Sequence, residues 1–569
     1  MPLRADQLAR IKDKPDVSVL IIGAGINGIG TFRDLALQGV DVVLVDRGDF
    51  CSGASAASSH MVHGGIRYLE NGEFRLVREA VQERNRLIEN TPHLVKPLPT
   101  TFPIFKWFSG LFNAPLKFLG LLDKPAERGA VVIKLGMMLY DTFTRKQKTV
   151  PKHVFRNQRE SLALFPELNP EVRFTGTYFD GAMPTPERIA IELLQDAAAA
   201  NQQALAVNYV SLVSAAGNTV TLKDEVGGET FQLTPKIVVN AAGPWIDLVN
   251  QSMGKQTQYI SGTKGSHLIL DHPALRQAIG ENEFFFENKD GRIVLIYPLG
   301  DKVMVGTSDI RVDHPDDSVI TDDEVDYFFD LIKRVFPKIR MEQSQIIYTF
   351  SGVRPLQRTE GGTTGQISRD HAVKFNESGD LLDVPVFSLV GGKWTSFRAF
   401  SEQATDQILA HMGTPRRVST ANLQIGGSKG YPKNPAEKTA WFKRLLASYP
   451  IEERHLEQLF QTHGTRVELL LKQVGAEAGE MLGTLPETSI GELIFILSSE
   501  AVVHLDDLIL RRTMLGKTGK VNPDSLREIA QICAGILGWS EQQTEQEIER
   551  FTDLLRRKHK MNFSAYIRG

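Results

Sequence analysis

Cysteine is almost missing from the 569-residue chain: Cys51 and Cys533 are the two present. Two thiols exclude a disulfide framework and a multi-cysteine zinc site, and they suit a reducing compartment. A charge excess is missing as well, since 65 Lys and Arg face 68 Asp and Glu for a formal net charge of −3. That balance excludes a strongly basic nucleic-acid binder and an acidic disordered chain. Recognition of a phosphate or a lipid surface must then come from local placement of charge. No apolar run approaches the roughly 18 residues of a membrane-spanning helix. Residues 17–26 are broken by Ser18, Gly23 and Gly25, and residues 131–140 contain Lys134. Near the N-terminus Asp6, Asp13 and Asp16 interleave with the basic residues, which is unlike a secretory signal. A cytoplasmic protein is expected, with attachment to a membrane surface left open. His60 and His63 are close in sequence but have no further ligands at metal-site spacing, so no metal is expected.

What is present is a core-forming composition, 42% hydrophobic and 23% charged, with room for two to four domains at about 100–200 residues each. Its most informative stretch is early. Asp16-Val-Ser-Val-Leu-Ile-Ile22 reads as a buried parallel strand, and Gly23-Ala-Gly25-Ile-Asn27-Gly28 follows at once. A helical stretch from Ile29 to Leu37 leads to a second β-rich run, Val40 to Val45, ending in Asp46. In this arrangement Gly23 permits the tight turn, Gly25 lets backbone approach a pyrophosphate, and Gly28 lets helix pack on strand. The pyrophosphate would sit on the helix's N-terminal amides. Asp46 lies 18 residues past Gly28, where a carboxylate accepts from ribose hydroxyls and repels a 2′-phosphate. The pattern implies a dinucleotide without separating NAD from FAD. It occurs once, so one dinucleotide is expected.

Two later segments favour a flavin. Lys236-Ile-Val-Val-Asn-Ala241-Ala242-Gly243-Pro-Trp245 is a strand ending in small residues, which leave space for a cofactor at the strand's carboxyl end. Val384-Pro-Val-Phe-Ser-Leu-Val390 runs into Gly391-Gly392-Lys393-Trp394-Thr395-Ser396, where two glycines open a helix continuing to Leu409. Its N-terminal amides are placed to face a flavin's pyrimidine edge and stabilise negative charge there.

Several blocks together resemble the FAD-dependent glycerol-3-phosphate dehydrogenases. They are Gly53-Ala-Ser-Ala-Ala-Ser58-Ser59-His-Met-Val-His63-Gly64-Gly65-Ile-Arg67-Tyr68-Leu-Glu70, Ser351-Gly-Val-Arg354-Pro355, Ile367-Ser-Arg369-Asp370 and Gly391-Gly392-Lys393-Trp394-Thr395. They occur in the family's order over roughly residues 16–410, and Leu505-Asp-Asp-Leu-Ile-Leu-Arg511-Arg512-Thr513 extends the likeness. The resemblance implies a peripheral membrane enzyme on the inner face of the cytoplasmic membrane. It would oxidise sn-glycerol 3-phosphate to dihydroxyacetone phosphate by hydride transfer from C2 to FAD N5, and pass electrons to ubiquinone or a related quinone. It also implies site residues. Ser58, Ser59, His63, Gly64, Gly65, Ala241, Ala242, Gly243, Gly391, Gly392, Lys393, Trp394 and Thr395 would join Gly23, Gly25, Asn27, Gly28 and Asp46 around FAD. Arg354 and Arg369 would bind the phosphate or neighbouring oxygens, Arg67 and Tyr68 would border the pocket, and Lys393 with Thr395 would sit beside flavin and substrate.

The chemistry suits these residues. A phosphorylated substrate needs a cationic grip, and the planar guanidinium fork supplies it. Taken singly, each Arg is an ordinary surface residue; the cluster of motifs carries the assignment. For the hydroxyl proton His267, in Lys264-Gly-Ser-His267, is the leading candidate, followed by His63. Alternatively Arg354 or Lys393 polarises the hydroxyl while water takes the proton. The alternation of Arg292-Ile-Val-Leu-Ile-Tyr297 and the turn before Gly306-Thr307-Ser308-Asp309 predict an antiparallel hairpin roofing the pocket, with Thr307 lining it and no catalysis by Asp309.

The expected fold is α/β: a Rossmann-type FAD domain, an inserted antiparallel substrate sheet and an all-α C-terminal cap. The oxidoreductase region spans 1–414, with FAD segments about 16–95, 165–255 and 350–414 and substrate segments about 96–164 and 256–349. A linker at 415–432 precedes a helical domain at 433–569. Thr185-Pro186-Glu187 predicts a capped helix start, and Ser540 with Gln543 a capping box. The apolar, Lys-containing stretch 106–122 suits a helix lying in a lipid interface, or packing between domains. An amino-acid oxidase or dehydrogenase of the same flavoprotein class, a non-catalytic flavin-binding interaction protein, and a homodimer all stay open.

Overall fold

The computed structural model describes residues 3–66, 73–106, 130–144, 149–287, 293–316, 318–358 and 370–561. The strand Asp16–Ile22 lies between Val42–Val45 and Thr230–Asn240, parallel to both. Ala204–Val207 extends the sheet on one side and Val386–Gly391 on the other, again in parallel, before His371–Asn376 closes it antiparallel. Strands buried on both faces are near-continuous apolar runs, and Val19, Leu20 and Ile21 are fully buried. One face packs on the helices Ile26–Leu37, Pro186–Ala200 and Phe397–His411. The other carries the hairpin Val210–Ala216/Thr219–Asp224 and an N-terminal helix, Arg4–Asp13, that the sequence reading did not anticipate. From the central strand the chain goes first to one side and later to the other. That switch opens a crevice at the strands' carboxyl ends.

The second sheet is mostly antiparallel and centred on Ile260–Leu270, which pairs with Ile346–Gln357 and Lys302–Gly306. The expected hairpin is there, joining Ile293–Leu299 to Lys302–Gly306. Side chains alternate between the faces of a strand. Leu268, Leu270, Val303 and Val305 pack under the amphipathic helix Asp322–Val335. Ile269, Met304, Tyr348 and Phe350 face the opposite way, against the C-terminal domain. This second face divides along its length: part lies under the helical domain, and part, at Gly352, on the 53–59 loop.

Beyond residue 434 the regular elements among the described residues are helices, from Pro435–Ser448 to Glu541–His559, with one isolated β-bridge between Met481 and Ser489. Asn434, Ser489, Asn522 and Ser540 accept from backbone amides in the first turns of their helices. Two expectations need amending. Thr185 precedes a helix with Pro186 in its first turn, but its side chain makes no cap bond. The supposed linker is not a free tether: Gly426 and Gly427 donate backbone N–H to Asp196 and Glu192 on the helix Pro186–Ala200. A Cβ at Gly427 would lie 2.0 Å from His463 O, so only glycine permits this approach.

Candidate cofactor and substrate site

The dinucleotide turn is built by leaving side chains out. Gly23 has φ +107°, and a Cβ there would meet the Ala241 backbone at 2.6 Å. A Cβ at Gly28 would stand 1.9 Å from Gly23 O and 3.1 Å from Ala241 Cβ, while at Gly25 the nearest atom is Ser55 Oγ at 3.3 Å. Strand ends, turn and helix therefore touch through backbone. Asp46 closes the turn, its Oδ2 accepting from Ala24 N at 2.6 Å and its Oδ1 from Gly48 N at 2.9 Å. Burial pushes the Asp46 carboxyl up to about 6 despite these two amides.

Three distant segments meet next to the turn. Asn27 Nδ2 donates to Gly391 O at 3.1 Å, Trp394 Nε1 to Ser55 O at 2.9 Å, and His63 N to Thr395 Oγ1 at 3.0 Å. Gly391 and Gly392 have φ +79° and +95°, and a Cβ at Gly392 would press on Asn27 at 2.9 Å. Gly64 N is held by Asp180 Oδ1 at 3.1 Å and by Tyr140 OH at 3.0 Å, in a fully buried group with Arg84. Ser58 Oγ accepts from His60 N at 3.3 Å. Lys393 lies near enough to Glu73 to oppose the rise that burial gives that carboxyl.

The floor is a sheet face cleared by glycines. Gly265 and Gly352 are directly opposed on adjacent strands. A Cβ at Gly352 would meet Ala57 Cβ of the cofactor loop at 2.4 Å, so this strand lies hard against that loop. Two residues on and on the same face, Arg354 leans across Gly265, where a Cβ would fall 2.3 Å from its Nη2. Arg354 Nη2 donates to Thr307 Oγ1 at 2.8 Å, and Nη1 to Asp309 Oδ1 at 3.1 Å and Ser308 O at 3.2 Å. Thr307 and Asp309 thus aim the guanidinium. Neither Gly265 nor the Asp309 contact was anticipated, although glycine inside a strand marks close approach.

His267 does not look like a poised base. Its Nε2 lies 2.9 Å from Ser59 Oγ, and its ring stacks on Phe350 at 4.7 Å and 9°. Gly306 supplies the space, since a Cβ there would sit 2.3 Å from the ring. Burial, with the Arg354 charge adding, pushes the imidazole down to about 3. It is neutral at pH 7, a weak proton acceptor, and held in place by packing. Arg67, Tyr68 and Arg369 lie outside the described residues, as does 107–122 of the apolar stretch. Among the described residues no helix is long and apolar enough to cross a membrane, and no cluster could hold a metal ion.

A cavity of about 570 Å³ runs along the glycine turn, the 52–57 loop and the end of the antiparallel strand, lined by Gly25, Asn27, Asp46, Ala242 and Gly352 among others. Small residues line its floor and Asn27 Oδ1 is buried beside it with no partner, as a cradle for an extended dinucleotide requires. A family model described as FAD dependent oxidoreductase matches residues 18–380. Fold and site define an FAD-dependent oxidoreductase, with FAD as cofactor. A second model, the C-terminal domain of alpha-glycerophosphate oxidase, matches residues 418–544. A glycerol-3-phosphate dehydrogenase of Synechocystis sp. is 32% identical over 565 residues, covering 94% of this chain and 96% of the relative. The D-erythritol 1-phosphate dehydrogenase of Brucella abortus is 30% identical over 515 residues, covering 87% and 93%. The structure of a glycerol-3-phosphate dehydrogenase from Bacillus halodurans complexed with FAD shares the fold, with TM-score 0.74, 21% identity and 97% of both chains covered. The chain belongs to the FAD-dependent glycerol-3-phosphate dehydrogenase family.

Proposed function

We propose that the chain oxidises sn-glycerol 3-phosphate to dihydroxyacetone phosphate and delivers the electrons to a quinone at a membrane surface. The observation that carries this is Arg354, a guanidinium held by Thr307, Ser308 and Asp309 on a strand pressed against the cofactor loop. Gly23, Gly25, Asn27, Gly28 and Asp46 hold the ADP half of FAD; Ser58, Ser59, His63, Gly64, Gly65, Ala241 to Gly243 and Gly391 to Thr395 hold the rest. When bound, FAD supplies the acceptor for the C2 hydride at N5.

The chain's own residues bind, orient and handle charge. Arg354 takes the phosphate dianion, with Arg369, Arg67 and Tyr68 assigned to the same pocket by family resemblance. Lys393 polarises the C2 hydroxyl and Thr395 orients it. The proton leaves to water, because the His267 ring is buried against Phe350 and its Nε2 is occupied by Ser59 Oγ. His267 is accordingly reassigned from base to positioning residue for Ser59. Attachment to the membrane is assigned to the stretch 106–122.

Anaerobic titration of the purified holoenzyme with glycerol 3-phosphate tests the reading. Loss of the oxidised band at about 450 nm is expected, followed by its return with ubiquinone in vesicles faster than with oxygen alone. Bleaching by a D-amino acid but not by glycerol 3-phosphate would sink it. The Brucella relative raises a second reading, a longer polyol phosphate as substrate. Erythritol 1-phosphate in the same titration separates the two by the concentration needed for half bleaching.

A further inference from the structure

The loop from Asp46 to Cys51 carries a second carboxylate whose partners come from the other end of the chain. Asp49 is buried, and Arg512 grips it at two points, Nη1 to Oδ2 at 2.7 Å and Nη2 to Oδ1 at 2.9 Å. Arg511 Nε adds a bond to Oδ2 at 2.6 Å, and Asn208 Nδ2 one to Oδ1 at 2.9 Å. The arginines are themselves fixed. Arg512 donates to Glu500 O at 3.0 Å, and Arg511 to Asp506 Oδ2 at 2.7 Å and to Asp507. Tyr209 OH then bonds Asp507 at 2.6 Å, its N bonds Gly48 O at 2.9 Å, and Val210 N bonds Asp46 O at 2.7 Å. Both arginines stand on a π-helical turn, Asp507–Arg512. Arg511 and Leu510 line the same cavity as Gly25 and Asp46.

We infer that Arg512 and Arg511 are positioning residues for FAD: through Asp49 they hold the 46–51 loop in the shape that receives the ADP half. The helical domain is thereby part of the dinucleotide site and not only a cover. A buried carboxylate deprived of its cations draws in water or rearranges, and here the rearranging segment begins at Asp46. The inference rests on the assignment of FAD to the glycine turn.

The test compares release of FAD from purified holoenzymes, followed as flavin fluorescence after dilution, with thermal melts run in parallel. Arg512→Gln is expected to release FAD at least about tenfold faster, in the range of other supporting-shell losses. Arg512→Lys should recover part of this, and Asp49→Asn should match Arg512→Gln without adding to it in the double variant. Asp196→Asn is the control, because Asp196 is a buried docking carboxylate that holds Lys429 at 2.5 Å and the Gly426 amide and shares no partner with Asp49. It should lower the melting temperature while leaving release within about twofold. Release at the wild-type rate in Arg512→Gln overturns the inference. So does equal acceleration in Asp196→Asn at equal loss of melting temperature, which is plain domain docking. If Arg512→Gln does not fold, Arg512→Lys and Asp49→Asn decide by the same criterion. Wild-type protein that binds no FAD would overturn the cofactor assignment instead.

Discussion

The two sheets serve the site by opposite means. In the parallel sheet the site is made by backbone: Gly23, Gly25 and Gly28 remove side chains within one local strand, turn and helix, onto which Ala241, Gly391 and Gly392 close from far along the chain. In the antiparallel sheet it is made by side chains held from afar, as when Arg354 is fixed by Thr307, 47 residues away. A backbone site tolerates no added atoms. A side-chain site tolerates added atoms but fails when a partner is lost.

That contrast is broken or sharpened first at Gly28. A Cβ there collides with backbone that cannot move without opening the turn. Gly28→Val should yield protein without flavin and cost about 3 kcal/mol or more, at or beyond the upper end of overpacking effects. Flavin-to-protein absorbance ratio and a denaturant melt check it. A flavin-loaded variant of normal stability would mean that strand and helix do not meet through this glycine.

Next is Arg354→Ala, expected to lower kcat/KM for glycerol 3-phosphate by about 2–5 kcal/mol, the cost of truncating one member of a buried charge pair. Flavin content should stay normal. Unchanged apparent affinity would remove the phosphate assignment. Gly265→Ala is a finer probe, because its Cβ meets the guanidinium end of a flexible side chain and not backbone. Arg354 shifts, so KM should rise about tenfold, equivalent to about 1.4 kcal/mol, with little change in melting temperature. A large loss of stability with normal KM would put Gly265 in the same class as Gly28.

The same contrast explains what could be read in advance. Strand, glycine turn, helix and Asp46 fit in about thirty residues, so local periodicity and glycine spacing were enough. The last C-terminal helix was equally legible from its Ser540 cap. Arg354 stood out only through its motif. Nothing near Asp49 announces a partner 463 residues away, and Asp309 read as turn chemistry. The N-terminal helix went unnoticed because its acidic and basic residues mask a narrow buried side, where Gln7 accepts from Ala206 N. His267 was assigned from its residue type; only the folded structure, which buries it against Phe350 beside the Arg354 charge, shows why it is neutral.

His267 gives the smallest effect. Its folded pKa of about 3 lies below the ordinary value of 6.5, so between these values the unfolded chain binds a proton that the folded chain does not. Stability from the neutral imidazole is therefore complete above 6.5 and declines as pH falls. From pH 7.5 to 6 the loss is about 0.8 kcal/mol. His267→Gln lacks this component, so its stability deficit relative to wild type should narrow by that amount over the same interval, measured by urea unfolding at both values. Wild-type kcat/KM should meanwhile show no limb near 6.5 that the substitution abolishes. A limb that disappears with His267 would restore it as the base and place a proton-transfer group on the antiparallel side of the site.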